Sequence, residues 1–196
     1  MTKAELRKIY LTRRGSISPD DRLHLSEKIA EKFFAEVDLA NFRFIHCFIS
    51  LQRLGEIETA PIFQQLWQDF PQIETFAPRI NEQTNEIDAL PCRLETKLIE
   101  NKWNISEPAD GDAVDPKSID MVIVPLLCFD ERGFRVGYGK GFYDRFLAKC
   151  RPDCVKVGLS FFPPVERIDD INAGDVALDL WITPEKIIAT ENTENF

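Results

Sequence analysis

The segment MVIVPLLCFDERGFRVGYGKGFYDRFL, residues 121–147, limits the possible folds more than any other part of the chain. The near-continuous apolar run from Ile119 to Pro125 suits a strand buried on both faces, which is the habit of a parallel sheet covered by helices. It leads into Gly133, Gly137, Gly139 and Gly141, then into a helix expected from about Gly141 to Cys150, and then into a short strand expected over Val155 to Leu159. Strand, loop, helix and strand in that order are the unit of an α/β fold.

The rest of the chain repeats this alternation. The run FRFIHCFI, Phe42 to Ile49, has the β-branched and aromatic density of a buried strand and ends in the polar loop SLQRLGEIET. Thr59 is placed to cap a helix carrying Ile62, Phe63, Leu66 and Trp67, and Gln72 to Ala77 reads as a strand ending at Pro78-Arg79. Thr2 and Glu5 form a capping-box pattern ahead of a first helix, on which Lys3, Arg7 and Arg14 lie near one face. That face suits an anion, although a solvated charged face explains it as well and is the preferred reading from these residues alone. Ser18 caps a second helix with Pro19 at its first position, and Leu23, Ala30, Phe33, Phe34 and Val37 form its expected core stripe. Between Asn81 and Lys117, Cys92 to Ile99 suggests exposed strands and Pro108 to Pro116 a loop. No domain boundary stands out, so a single unit over residues 1–196 is expected.

A chain of 196 residues with 44% hydrophobic residues can bury a core without disulfides or a structural metal. The formal net charge of -9 argues against a general nucleic-acid binder, which needs a basic face. The apolar runs are too short to span a bilayer, and the N-terminus has no signal-like apolar stretch. Cys47, Cys92, Cys128, Cys150 and Cys154 are an odd set without a C-x-x-C pair, which fits ordinary packing in a reducing cytoplasm. The expectation is a soluble cytoplasmic protein with no nucleic-acid, membrane or obligate protein partner.

Glycines at alternate positions expose backbone N–H groups and permit positive φ, which suits a nest around phosphate oxygens at the start of a helix. The segment is not a Walker A loop, because Gly141 follows Lys140 where Ser or Thr is required. Nor is it a dinucleotide fingerprint, because Phe142 stands where the third glycine belongs. On spacing alone a flexible Gly-rich hairpin fits equally. Arg135 and Lys140 add charge that can offset a polyphosphate, and Asp144 in the first turn of the helix can ligand a hard cation. Asp144 is also explained by the helix dipole alone.

The stretch PLLCFDERGFRVGYGKGFYDRFL resembles the hallmark of the 5-formyltetrahydrofolate cyclo-ligase family, roughly P-x-x-x-F-D-x-x-G-x-R-x-G-x-G-x-G-x-Y-D, at every fixed position. The resemblance extends in order through KAELRK, GEIET, PRI, KWNISEP and DVALDLWITPE, nearly the full chain. It implies an open, mixed or mostly parallel sheet flanked by helices on both faces, a three-layer Rossmann-like α/β fold. It also implies ATP as co-substrate with Mg²⁺. By the same resemblance, Lys3 and Arg7 contact ATP phosphates, and Arg135, Gly137, Tyr138, Gly139, Lys140, Gly141, Phe142 and Tyr143 belong to the nucleotide loop. Arg135 and Lys140 then act in catalysis, and Asp144 and Asp179 hold Mg²⁺. Ile49, Glu56, Tyr138, Gly139, Lys140, Gly141 and Phe142 line the folate site. Tyr138 departs from relatives that carry arginine there, which puts a cationic contact at that point in question.

Glu56 and Glu58 sit two apart, so a carboxylate there can accept hydrogen bonds from the N–H edge of a pterin or simply solvate the loop. Trp103 reads as a core residue, and Arg79 as a ligand contact or a surface ion pair. No G-x-S-x-G elbow exists, so covalent hydrolase chemistry is not indicated. The implied reaction converts 5-formyltetrahydrofolate and ATP to 5,10-methenyltetrahydrofolate, ADP and phosphate. A phosphate-binding isomerase or a nucleotide-binding regulatory module would use the same loop without that turnover.

Overall fold

A computed structural model of the chain describes residues 1–190. The last six residues of the expected unit therefore lie outside the described part. In chain order the elements are α1 (Lys3–Gly15), α2 (Pro19–Glu36), β1 (Phe44–Cys47), α3 (Ala60–Asp69), β2 (Glu74–Asn81), β3 (Glu86–Pro91), β4 (Leu98–Glu100), β5 (Ser106–Pro108), β6 (Met121–Val124), β7 (Cys128–Phe129), β8 (Arg135–Val136), α4 (Phe142–Leu147), β9 (Val155–Leu159), β10 (Leu180–Ile182) and β11 (Ile187–Ala189).

Seven strands form the main sheet in the order β11-β10-β9-β6-β1-β2-β3. The inner neighbours from β10 to β2 pair in parallel, while β3 and β11 close the two edges antiparallel. The expected mixed, mostly parallel sheet is thus observed. Its layers follow from the period of a strand, whose successive side chains point to opposite faces. Ile45 and Cys47 of β1, with Met121 and Ile123 of β6, face α2 and α3 and join Ile29, Phe33, Ile62 and Leu66 in one core cluster. Val122 and Val124 face the other way, toward Phe146 and Leu147 of α4 and Trp181 of β10. All four residues of β6 are buried, as its unbroken apolar run requires.

The capping box at Thr2 and Glu5 and the Ser18 cap with Pro19 both form as expected. Val155–Leu159 is a strand with the expected bounds. Several boundaries differ. β1 is shorter than Phe42 to Ile49, and β2 runs past Pro78-Arg79 because it pairs with β3 through Asn81. Cys92 to Ile99 is mostly turn, with the small hairpin β4–β5 beginning only at Leu98. The last helix is limited to Phe142–Leu147 and continues only as turns toward Cys150. Leu23 is 49% exposed and lies off the core stripe of α2. Thr59 precedes α3, but its hydroxyl donates to Phe48 O at 2.8 Å instead of capping the helix. Trp103 is half-exposed near the tip of the β4–β5 hairpin, because that small sheet stands outside the main core.

α1 belongs to neither face of the sheet. Leu6 and Tyr10 pack on Leu127, Cys128 and Val136, which lie in or beside the β7–β8 hairpin. This docking carries the basic side of α1 over the segment that follows β6.

Candidate active site

The strand order places a topological switch between β1 and β6. From β1 the chain passes through α3 on one face to β2, and from β6 it passes through α4 on the other face to β9. The loops leaving β1 and β6 at their carboxyl ends therefore diverge, and the gap between them is where open α/β sheets bind ligands. A narrow cleft with about 10 Å³ of free space lies there, lined by Phe48, Glu56, Pro125, Leu126 and Ser160 with Arg14 from α1.

The wall after β1 is tightly built. A 3-10 turn at Gln52–Leu54 ends in Gly55 at φ 63, which reverses the chain and delivers Glu56 into the cleft with only 3% exposure. Ser50 Oγ donates to Ile57 O at 2.7 Å and ties the two ends of the loop together. The Leu51 N–H donates to Glu56 Oε2 at 2.8 Å, and the Tyr138 hydroxyl donates to Oε1 at 2.5 Å. Burial raises the Glu56 carboxyl above its ordinary value, opposed by the Tyr138 and Leu51 hydrogen bonds and by the charges of Arg14 and Arg53. Ile49 is half-buried against the core beside this loop. Glu58 leaves the site and faces Arg22 of α2 at 3.9 Å.

The β7–β8 hairpin and the glycine loop that follows it adjoin this cleft through Tyr138. Buried Asp130 at its root accepts from the N–H groups of Arg132, Phe134 and Ile168. Beyond β8, Gly139 and Gly141 have φ of 87 and 67 on either side of Lys140. The φ of Gly139 favours glycine, and a Cβ there would sit 3.2 Å from the Arg7 guanidinium, which would have to shift. Lys140 is exposed, and its ammonium has no partner among the described residues.

α1 closes the third side. Lys3 pairs with Asp175, Arg7 Nε donates to Gly137 O at 2.9 Å, and Arg14 Nη2 donates to the Tyr138 hydroxyl at 2.5 Å. Arg14 is 3% exposed. The preferred reading of this face as solvated is therefore wrong: the docking of Leu6 and Tyr10 turns it onto the glycine loop. Tyr138 does lack a cation of its own, yet Arg14 brings one to its hydroxyl.

Arg135 and Asp144 occupy different positions from those the motif suggests. Arg135 is 9% exposed and turned inward, with Nη1 donating to Val176 O at 2.7 Å and Nη2 to Asp144 Oδ1 at 2.9 Å. It is a partner of Asp144 and not an open cation over the loop. Asp144 Oδ1 also accepts from Val176 N at 3.2 Å, while Oδ2 has no hydrogen bond among the described residues. Asp179 is not gathered with Asp144. It precedes β10 at the opposite, amino end of the parallel strands and accepts from Lys156 N at 2.8 Å and Lys156 Nζ at 3.0 Å. Among the described residues no group of three or more His, Cys, Asp and Glu side chains could hold a metal ion. The donor set suits Mg²⁺ only in the mode where one carboxylate and ligand phosphates share it.

Sequence reasoning missed Asp175, which has no motif around it, and His46, which occupies the floor beneath the site. His46 is fully buried on β1 against Phe146 and Tyr143, its ring nitrogens have no hydrogen-bond partner, and burial depresses its pKa to about 3. The Tyr143 hydroxyl is likewise buried without a partner. Phe142 lies under the Arg145 guanidinium at 5.3 Å. Arg79 is half-buried on β2.

Comparison with known proteins bears on the fold and the family. The structure resembles that of a 5,10-methenyltetrahydrofolate synthetase from Aquifex aeolicus, with a TM-score of 0.83 and 28% identity, covering 100% of this chain and 96% of that one. A 5,10-methenyltetrahydrofolate synthetase from Mycoplasma pneumoniae gives a TM-score of 0.74 at 26% identity, covering 94% of this chain and 99% of that one. In sequence, a 5-formyltetrahydrofolate cyclo-ligase of Mus musculus is 32% identical over 76% of this chain and 74% of its own length. One of Escherichia coli is 27% identical over 89% and 96%. The sequence profile of the 5-formyltetrahydrofolate cyclo-ligase family matches residues 1–170, which include Glu56 and the glycine loop, and the chain belongs to that family.

Proposed function

We propose that the protein converts 5-formyltetrahydrofolate to 5,10-methenyltetrahydrofolate at the expense of ATP, releasing ADP and phosphate. The observation that carries this reading is the contrast between the two loops that meet at Tyr138 and Glu56. The loop after β1 holds a buried carboxylate with unused acceptor capacity, and the glycine loop holds two positive-φ glycines around an unpaired lysine. A two-donor pterin edge fits the first, and a polyphosphate fits the second.

A formamide oxygen is a poor leaving group and must be activated. In the proposed route the formyl oxygen attacks the γ-phosphoryl group and ADP leaves. The folate N10 then attacks the activated carbon and gives up its proton to solvent, and phosphate departs with the former formyl oxygen. Both nucleophiles come from the substrate, so the protein needs only to align the two ligands and stabilise charge. Glu56 orients the pterin, and the glycine N–H groups with Lys140 and Arg7 receive the phosphates. Asp144 Oδ2 would hold Mg²⁺ together with phosphate oxygens, and the ion would offset charge on the transferred group. Arg135 orients Asp144 from behind.

Incubating the protein with 5-formyltetrahydrofolate and following methenyl absorbance tests the reading. Product formed only with Mg-ATP, with one ADP per turnover, is expected. Binding of ATP without conversion would favour a regulatory module, and phosphosugar turnover without ATP would favour an isomerase. The five unpaired cysteines support a reducing cytoplasmic location.

A further inference from the structure

One hydroxyl group joins three segments of the chain at the cleft. Tyr138 is in the glycine loop, Glu56 in the loop after β1, and Arg14 in the last turn of α1. A guanidinium can only donate, so the Arg14 bond uses the Tyr138 oxygen as acceptor and leaves the single phenolic proton for Glu56 Oε1. The Arg14 guanidinium also lies 5.4 Å above the Tyr138 ring, and its Nη1 donates to Leu126 O at 3.4 Å. Tyr138 is itself packed against the cluster of Leu6, Tyr10 and Leu127, so its ring position is set by the docking of α1.

This arrangement decides how Glu56 can meet a ligand. A carboxylate offers about four acceptor directions, and two are taken by Tyr138 and Leu51, one on each oxygen. One direction per oxygen remains. Without the Tyr138 bond, only the Leu51 N–H would hold the carboxylate, and it could rotate about its terminal torsion, which is broad for glutamate. Resting on the folate reading of Glu56, we propose that Tyr138 is a positioning residue for this reaction: its hydroxyl, held by Arg14, fixes the plane of the Glu56 carboxylate toward the N–H edge of the reduced pterin.

The charged and titratable groups facing Glu56 are Arg14 from α1, Arg53 from the 3-10 turn, Tyr138 from the glycine loop and Tyr143 from α4, with the Arg22–Glu58 pair of α2 beyond them. Loss of the phenolic donor therefore leaves two cations and one N–H group to oppose the burial of Glu56. Its carboxyl then rises further, and the anion is lost at higher pH than in the wild type.

Tyr138→Phe removes one oxygen and keeps the ring. The KM for 5-formyltetrahydrofolate is expected to rise about tenfold, as for one hydrogen bond to a charged group. The KM for ATP should move much less, and the acid limb of kcat/KM for folate should shift to higher pH. Arg14→Lys keeps the charge but not the planar reach, and should shift both quantities in the same direction by less. It is the second variant to measure if Tyr138→Phe does not give folded protein by circular dichroism. Wild-type protein without folate turnover overturns the functional reading and this inference together. Wild-type turnover with an unchanged folate KM and acid limb in the folded variants overturns the positioning role alone.

Discussion

The loop after β1 and the glycine loop after β8 meet where the Tyr138 hydroxyl donates to Glu56, yet they are built in opposite ways. The first buries the Glu56 carboxylate, meets it with two donors and closes on itself through Ser50 and Ile57. The second leaves Lys140 exposed and its glycines in conformations that open the backbone to a ligand. The difference follows the chemistry of what each loop is proposed to meet. A flat pterin edge is recognised by orientation, so its acceptor must be rigid before binding. A polyphosphate is recognised by charge and many N–H donors, so its loop can be completed by the ligand itself.

The largest test of this contrast is Lys140→Met, which preserves length and removes the only charge the open loop projects between its two positive-φ glycines. If the lysine stabilises charge developing in phosphoryl transfer, kcat at saturating ligands should fall by roughly a hundredfold with a smaller change in ATP affinity. Wild-type kcat would leave the backbone alone to serve the phosphates.

Glu56→Gln tests the rigid wall. It keeps shape while replacing an anion by an amide, so folate affinity should weaken by about tenfold, with ATP affinity moving less. Equal loss for both ligands, measured by titration calorimetry, would mean that the two walls do not divide the ligands as described.

Asp144→Asn should have a smaller effect, seen as a several-fold rise in the Mg²⁺ concentration for half-maximal rate. The motif aspartate has one oxygen committed to Arg135 and Val176 and contributes only the other. An unchanged magnesium dependence would remove Asp144 from the cation site.

The smallest effect at neutral pH is expected beneath both walls, at His46. Its folded pKa of about 3 lies below the ordinary value of 6.5, so the unfolded state binds more protons between those values. Stability from keeping this ring neutral is therefore fully present above pH 6.5. It is lost as pH falls toward 3, by at most about 1.4 kcal/mol per pH unit. His46→Phe should be at least as stable as wild type in urea at pH 7, and should lose less stability than wild type between pH 7 and 5. Parallel losses would show that the ring is not the source of that limb.

Much of the fold was legible because it depends on local pattern. The unbroken apolar run of β6, the capping box of α1 and the Ser18-Pro19 start of α2 each state their structure within a few residues. The glycine loop was legible for the same reason, since positive φ is a property of single positions. Strand ends were less so. β2 extends through Asn81 only because β3 is there to pair with it, and the turn that joins them carries no strong hairpin signal.

The site residues divide along the same line. The local sequence determined which groups are available: Glu56 in its loop, Lys140 between two glycines, Asp144 at the start of a helix, and three cations in register on α1. Only the tertiary structure decided what each one faces. It turned Arg135 inward to Asp144, gave Lys3 to Asp175, set Asp179 beside Lys156 at the far end of the strands, and brought Arg14 to Tyr138. These pairings span up to 172 residues of chain. Each results from whole elements docking through their apolar faces, above all the seating of Leu6 and Tyr10 of α1 on the β7–β8 hairpin. Periodicity along one segment reports which face of that segment is apolar, but the polar partner opposite is chosen by the sheet order and the switch between β1 and β6.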